Sequence, residues 1–144
     1  MIDPSLAIDL DGLAFSAEPG ATALGIVSYD EPALEVSVRY AADSDVHHGS
    51  TPLAIRWQQT ALNFELVAAR TATETQIRQA WAALAAKLLQ IGYETVVSVS
   101  DAPDETWDCH GGGIGSGART LTNLKYHGPV RSVSIPCYPI RTIA

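Results

Sequence analysis

The stretch "TATETQIRQAWAALAAKLLQIG", residues 71–92, decides the fold class, because it alone changes the hydrophobic period of the chain. Ile77, Trp81, Leu84, Leu88 and Ile91 recur at spacings of four, three, four and three, which lines them along one helical stripe. Alanines at 80, 82, 83, 85 and 86 favour a helix and permit close packing. Thr71 with Glu74, or Thr73 with Gln76, offers a capping box, and Gly92 suits a left-handed C-cap. The pattern predicts one long helix over about 74–91 with five large side chains buried, Trp81 among them.

Outward from this helix the period is two on both sides. Upstream, "LAIDLDG", "ALGIVSYD" and "ALEVSVRYA" are short apolar runs, with turn chemistry at "DLDG" and "DEP". Leu34, Val36 and Val38 fall on one face and Glu35, Ser37 and Arg39 on the other, the signature of a half-buried strand. "AADSDVHHGSTP", residues 41–52, reads as a long exposed loop. In "LAIRWQQTALNFELVAA", Leu62, Phe64 and Leu66 alternate with Asn63 and Glu65, and Trp57 is expected to pack at the base of that strand or under the preceding loop.

Downstream, "YETVVSVS", "TWDCH", "RTLTNLKYH" and "VRSVSIPCYPI" read as four further strands. Pro136 and Pro139 lack an amide donor, which predicts an edge position or an early end for the last of them. Strands, one helix and strands again make an α+β domain, mainly a β-sandwich or open barrel with the helix packed against it. Its 144 residues suit a single domain, with an acidic β-rich part at 1–48 and a strand–helix–strands core at 49–140.

Charge narrows the partners. Nine acids and one base in residues 1–50 leave −8 there, more than the whole chain's −7. That excess opposes contact with phosphate backbones, so nucleic-acid binding is not expected. No apolar run approaches the ~20 residues of a membrane span, and acidic residues in "MIDPSLAIDLDG" stand where a signal peptide carries a basic start. Two cysteines, Cys109 and Cys137, are too few for a disulfide scaffold; free, bridged and metal-bound states all remain open.

Three constellations invite a chemical reading. "TWDCHGGGIGSGART", residues 106–120, contains Gly113, Gly115 and Ala118 at the relaxed dinucleotide-fingerprint spacing. That motif works by opening onto a helix N-terminus, and "RTLTNLKYHG" has no helical stripe. Gly112 and Gly117 have phosphate-loop spacing, but Ala118 stands where lysine is needed. A mobile hairpin tip fits better. Cys109, His110, His127 and Cys137 match no compact zinc pattern, and adjacent Cys109 and His110 point to opposite strand faces. The pair His47 and His48, beside Asp43 and Asp45, is a loop able to bind a divalent ion weakly. Catalytic, cofactor and metal residues are therefore not expected, and the chain reads as a non-enzyme.

The central block resembles small minor or distal tail proteins of long-tailed (siphovirus-type) bacteriophages, particularly those of actinobacterial hosts. The resemblance runs over residues 49–140. It lies in "GSTPLAIRWQQTALNFELVAA" as loop and long strand, "TATETQIRQAWAALAAKLLQ" as helix, "YETVVSVSDAPDETWDCHGGG" as a Trp-bearing hairpin, and "VRSVSIPCYPI" as closing strand. It implies a tail-tube-like fold and a structural virion protein near the distal tip or baseplate, assembled in the host cytoplasm. The expected partners are copies of itself in a six- or threefold ring and neighbouring tube, tape-measure, hub or receptor-binding proteins. His47, His48, Gly112, Gly113, Gly115 and Gly117 become candidate interface loops, and Ile77, Trp81, Leu84, Leu88 and Trp107 core anchors. The acidic first third would face exiting DNA without holding it. Alternatives are a carbohydrate- or protein-binding module at the host-facing tip, with Trp57, Trp107 and Tyr126 as stacking candidates, or a tail-completion or terminator subunit.

Overall fold

Alternation of apolar and polar side chains organises nearly every strand of the computed structural model, which describes residues 3–40, 52–69, 71–116, 130–138 and 142–143. The strands are β1 Ala7–Leu10, β2 Leu13–Ser16, β3 Leu24–Asp30, β4 Val36–Tyr40, β5 Pro52–Trp57 and β6 Thr60–Ala68. After helix α1, Glu74–Leu88, come β7 Tyr93–Ser98, β8 Glu105–Cys109, β9 Gly113–Ile114, β10 Arg131–Cys137 and β11 Thr142–Ile143.

One sheet runs β11–β8–β7–β1–β2–β3–β6–β10–β9, and a further pairing of β8 with β10 closes seven of its strands into a barrel. The barrel is closed, so neither a sandwich nor an open barrel describes it. Two of its contacts are thin. β2 meets β3 in parallel through Ser16 and Gly25 only, and β8 meets β10 through Cys109 and Cys137 only. Between them, β6 pairs on both sides, over residues 63–68 with β3 and over 60–66 with β10.

Local chemistry sets the tight turns. Asp11 and Gly12 join β1 to β2 with φ of 50° and 98°, the two positive values that a two-residue hairpin of matching twist requires. The inward residues are those of the period-two pattern: Ile8 and Leu10, Leu24 and Ile26, Leu62, Phe64 and Leu66, Trp107 and Cys109, Val133, Ile135 and Cys137. Ile77, Leu84 and Leu88 of α1 belong to the same connected core, so the helical stripe is continuous with the barrel interior.

The capping box forms at Thr73, whose hydroxyl accepts from the Gln76 N–H at 3.2 Å while Gln76 Oε1 accepts from the Thr73 N–H at 2.9 Å. The helix ends at Leu88, not at 91. Leu89 caps it in the right-handed region, its N–H turning to Ala86 and Lys87 carbonyls, and Gly92 has no left-handed role. Past the cap, the carbonyl of Gln90 accepts from the N–H of Gly111 at 2.9 Å, which ties the chain leaving the helix to the glycine segment. Leu89 is 85% and Ile91 93% exposed, which removes Ile91 from the stripe. Trp81 is half-buried, beneath the Arg131 guanidinium at 4.8 Å from the ring centroid. Three buried side chains rather than five leave on the order of 5–9 kcal/mol from helix burial, as an upper bound.

Three further expectations change. "LAIRWQQTALNFELVAA" is two strands, broken at Gln58–Gln59: β6 joins the barrel and β5 leaves it to pair with β4. Trp57 is half exposed on β5 rather than packed at a strand base. β10 is interior, between β6 and the β8/β9 side; a strand residue's N–H and C=O point the same way, and the Pro136 carbonyl accepts from His110. The missing Pro136 amide thus faces the short β8 seam, where little ladder is lost. The segment read as "RTLTNLKYH" lies outside the described residues.

Truncating Leu84→Ala should cost about 3 kcal/mol in denaturant unfolding. Ile91→Ala should stay within about 0.5 kcal/mol; equal losses at the two positions would put Ile91 back in the core.

Candidate assembly interface

The β4–β5 ribbon is where the amphipathic pattern lacks its expected cover. Its register sets Val36 opposite Trp57 and Val38 opposite Ile55. With Leu34 these make one apolar face; Ser37 lies opposite Arg56 and Arg39 opposite Ala54 on the other face. Leu34 is 46% exposed, Ile55 68% and Trp57 50%. The ribbon is a separate two-stranded sheet. An isolated pair of strands is marginal in water, and clustered apolar exposure of this kind marks an interaction surface. A second apolar surface lies where β2 and β3 diverge. It is a trough of about 350 Å³ that includes Ala17, Pro19, Ile26, Val27 and Val67 in its walls.

The glycine segment is not a hairpin tip as far as it is described. Gly113 and Ile114 form β9 on β10, and the Gly115 N–H donates to the Ser132 carbonyl at 2.7 Å. Tyr93 donates its hydroxyl to the Gly111 carbonyl at 2.5 Å. Arg131 links three parts of the fold, since its Nε donates to the Gly115 carbonyl at 2.8 Å while its charge lies over Trp81. Gly112 has φ of +141°, and a Cβ there would lie 2.7 Å from Leu88 Cδ2 and 3.1 Å from the Ser134 carbonyl. That glycine is required by close packing of backbone against the helix end. Gly113 would meet nothing within 4 Å.

At the end of β8, His110 is half-buried, its Nε2 at 2.7 Å from Gln59 Nε2 and its ring 5.5 Å from that of Tyr138. Cys109 is buried on the opposite side of the strand, facing Cys137. Cys109 Sγ lies 3.7 Å from the Trp107 carbonyl; the neighbouring Cys137 thiol holds Cys109 below its ordinary value, and Cys109 together with burial pushes Cys137 up. Burial, and then the two neighbouring thiols, raise the Tyr93 hydroxyl. Among the described residues no three His, Cys, Asp or Glu side chains are grouped to hold a metal ion. No helix among them is long and apolar enough to cross a membrane.

The expected interface positions are therefore scattered. Gly112, Gly113 and Gly115 sit together along the helix end and β10, whereas His47, His48, Gly117 and His127 lie outside the described residues. Ile77, Leu84, Leu88 and Trp107 are buried. Burial of Trp107 withdraws it as a stacking platform for a sugar; Tyr126 lies outside the described residues. The ribbon's open face was not foreseen. Its alternation in "ALEVSVRYA" shows that one face is apolar, but not whether the same chain covers it.

Barrel, flanking helix and outlying ribbon together define a mainly β fold, a seven-stranded barrel with one helix against it. No family model matches the sequence, and no curated protein matches it. Among solved structures, the fold is similar to the Dit (gp 19.1) protein of phage SPP1, described as a paradigm of the hub adsorption apparatus in phages infecting Gram-positive bacteria. The two share 14% identity at a TM-score of 0.58, over 96% of this chain and 52% of that one. This chain thus spans about half the length of the SPP1 protein. It is also similar to the sheath/tube terminator of PVC, an extracellular contractile injection system, at 9% identity and TM-score 0.56, over 100% of this chain and 96% of that one. The tube-terminating cap of the anti-feeding prophage matches at 8% identity and TM-score 0.52, over 100% and 90%.

Gly112→Ala should destabilise the chain by about 1–3 kcal/mol, through positive φ and the clash with Leu88. Gly113→Ala should shift chemical denaturation by no more than about 0.5 kcal/mol.

Proposed function

We propose that the chain is a structural, non-catalytic subunit of a phage-tail-type tube, assembled as a ring in which each β4–β5 ribbon lies on the neighbouring copy. The observation that carries this reading is the ribbon. It presents Leu34, Val36, Ile55 and Trp57 to solvent on an element with no cover from its own chain among the described residues. An isolated subunit leaves that face hydrated; a neighbour removes it from water and orders the ribbon. The apolar trough between β2 and β3 is a second surface available to a copy or another tail protein. The fold's likeness to a phage hub protein and to tube terminators supports the same role.

Particles shed at lysis are the expected location, with assembly in the host cytoplasm and sixfold or threefold rings near the distal tip. Asp3, Asp11, Glu18, Asp30, Glu31 and Glu35 are all exposed, and a lumen-facing placement would let DNA pass without adhering. A second reading is a terminator that closes a tube, supported by the fold's likeness to the PVC sheath/tube terminator and to the tube-terminating cap of the anti-feeding prophage. A host with actinobacterial ancestry and a siphovirus tail remain part of the first reading.

Mass spectrometry and electron microscopy of purified tails test both readings. Density at the tip supports the hub-proximal role, density at the far end of the tube supports the terminator, and absence from tails rejects both. The double substitution Ile55→Asp with Trp57→Asp should leave the circular dichroism and unfolding midpoint of the free subunit unchanged. Ring formation, or incorporation into tails, should fall at least tenfold in sedimentation or pull-down measurements. Unchanged assembly would remove the ribbon from the interface.

A further inference from the structure

Cys109 and Cys137 occupy the register position at which the barrel closes. The Tyr138 N–H donates to the Asp108 carbonyl at 2.9 Å and the His110 N–H to the Pro136 carbonyl at 3.1 Å. Hydrogen bonds flanking the pair on both sides make Cys109 and Cys137 a non-hydrogen-bonded antiparallel pair, the type with Cα atoms about 4.5 Å apart and side chains closest. That separation falls within the range a disulfide spans. Both side chains are buried on the core side of their strands and both are free thiols. We propose that this pair is an oxidation site, closing to an intrachain disulfide that locks the β8–β10 seam when the chain meets a peroxide-class oxidant.

The seam gives the bond something to do. It is the thinnest antiparallel contact of the barrel, one registered pair against seven for β10 on β6. Both thiols lie at strand ends, Cys109 closing β8 and Cys137 closing β10, next to half-buried His110 and exposed Tyr138. Opening the two flanking hydrogen bonds gives a small oxidant a route to the buried sulfurs. Of the two, Cys109 is held lower and Cys137 higher than an ordinary thiol, so Cys109 is the sulfur that ionises first.

The chemistry balances with hydrogen peroxide as the two-electron oxidant. The Cys109 thiolate attacks one peroxide oxygen, forming S–O, breaking O–O and releasing hydroxide. The Cys137 sulfur then attacks the sulfenic sulfur, forming S–S and breaking S–O; its proton leaves with the second hydroxide as water. Two thiols are oxidised and one peroxide is reduced to two waters. A covalent tie between positions 109 and 137 restricts the unfolded chain and removes opening at the seam. The inference concerns the barrel alone and holds whatever the particle. For a subunit that leaves a reducing cytoplasm, it supplies a lock set after assembly.

The test uses the full-length chain, reduced, freed of reductant and treated with hydrogen peroxide while folded. Titratable thiols, counted after denaturation, should fall from two to none, with intact mass lower by two hydrogens. Peptide mapping should find the 109–137 link in monomers on a non-reducing gel. The midpoint of thermal unfolding should rise by about 10 °C and return on adding dithiothreitol. Cys137→Ser should abolish both the link and the rise; should that variant not fold, the mapping and the reversible shift in the natural chain stand without it. Thiols that survive in the folded chain yet bridge once it is denatured would overturn the proposal. So would interchain dimers, oxidation of Cys109 past the sulfenic stage, or a bridge that leaves the midpoint unchanged or lowers it.

Discussion

The pairing of Cys109 with Cys137 across β8 and β10 turns a sheet into a barrel, and most other features follow from that closure. A sheet of seven strands curled by its own twist leaves two edges to satisfy, and joining them removes the exposed backbone donors and acceptors that invite aggregation. Here the join is short, carried by two backbone hydrogen bonds and two buried sulfurs. Burial on either side has to hold it. Trp107, two residues before Cys109, and Ile135, two before Cys137, are both inward and buried, so the seam closes over packed apolar side chains rather than by ladder alone.

Closure also explains the tight packing around the glycine segment. The helix runs out at Leu88 just where Gly111 and Gly112 pass, and the chain leaving it is tied to the Gly111 N–H. Arg131 then ties the start of β10 to Trp81 on the helix and to Gly115 beyond β9. A planar cation with one face on an aromatic ring and an N–H on a carbonyl joins three elements without needing an acidic partner. Lys87 near the other side of the helix reaches the Asp11 carbonyl at 3.3 Å, fixing the helix to the β1–β2 turn. None of these ties involves the ribbon, a separate two-stranded sheet whose apolar residues are exposed.

Much of the architecture was readable in the linear order of residues. Leu62, Phe64 and Leu66 were assigned inward because strand geometry makes period two unavoidable, and they are buried. The Thr73–Gln76 box and the stripe through Ile77, Leu84 and Leu88 were likewise local, since i, i+3 and i+4 neighbours meet on any helix. Ile91 differs for the opposite reason: its spacing suits the stripe, but the helix stops at Leu88 and the chain beyond it turns to meet Gly111. The glycine segment was misread in kind. Glycines signal either a loose turn or a close approach, and only a neighbour such as Leu88 or Ser134 distinguishes them.

By itself the amino-acid sequence determined the period of each element, hence which residues face together and that one helix interrupts a β-rich chain. Those are short-range consequences of backbone geometry. Tertiary structure alone decided that the sheet closes, that Cys109 meets Cys137, and that the apolar faces of β4 and β5 match each other with no cover among the described residues. Alternation specifies that a face is apolar but carries no information about distance in space. Whether that face finds its cover within the chain or beyond it is settled only when every strand has taken its place in the sheet.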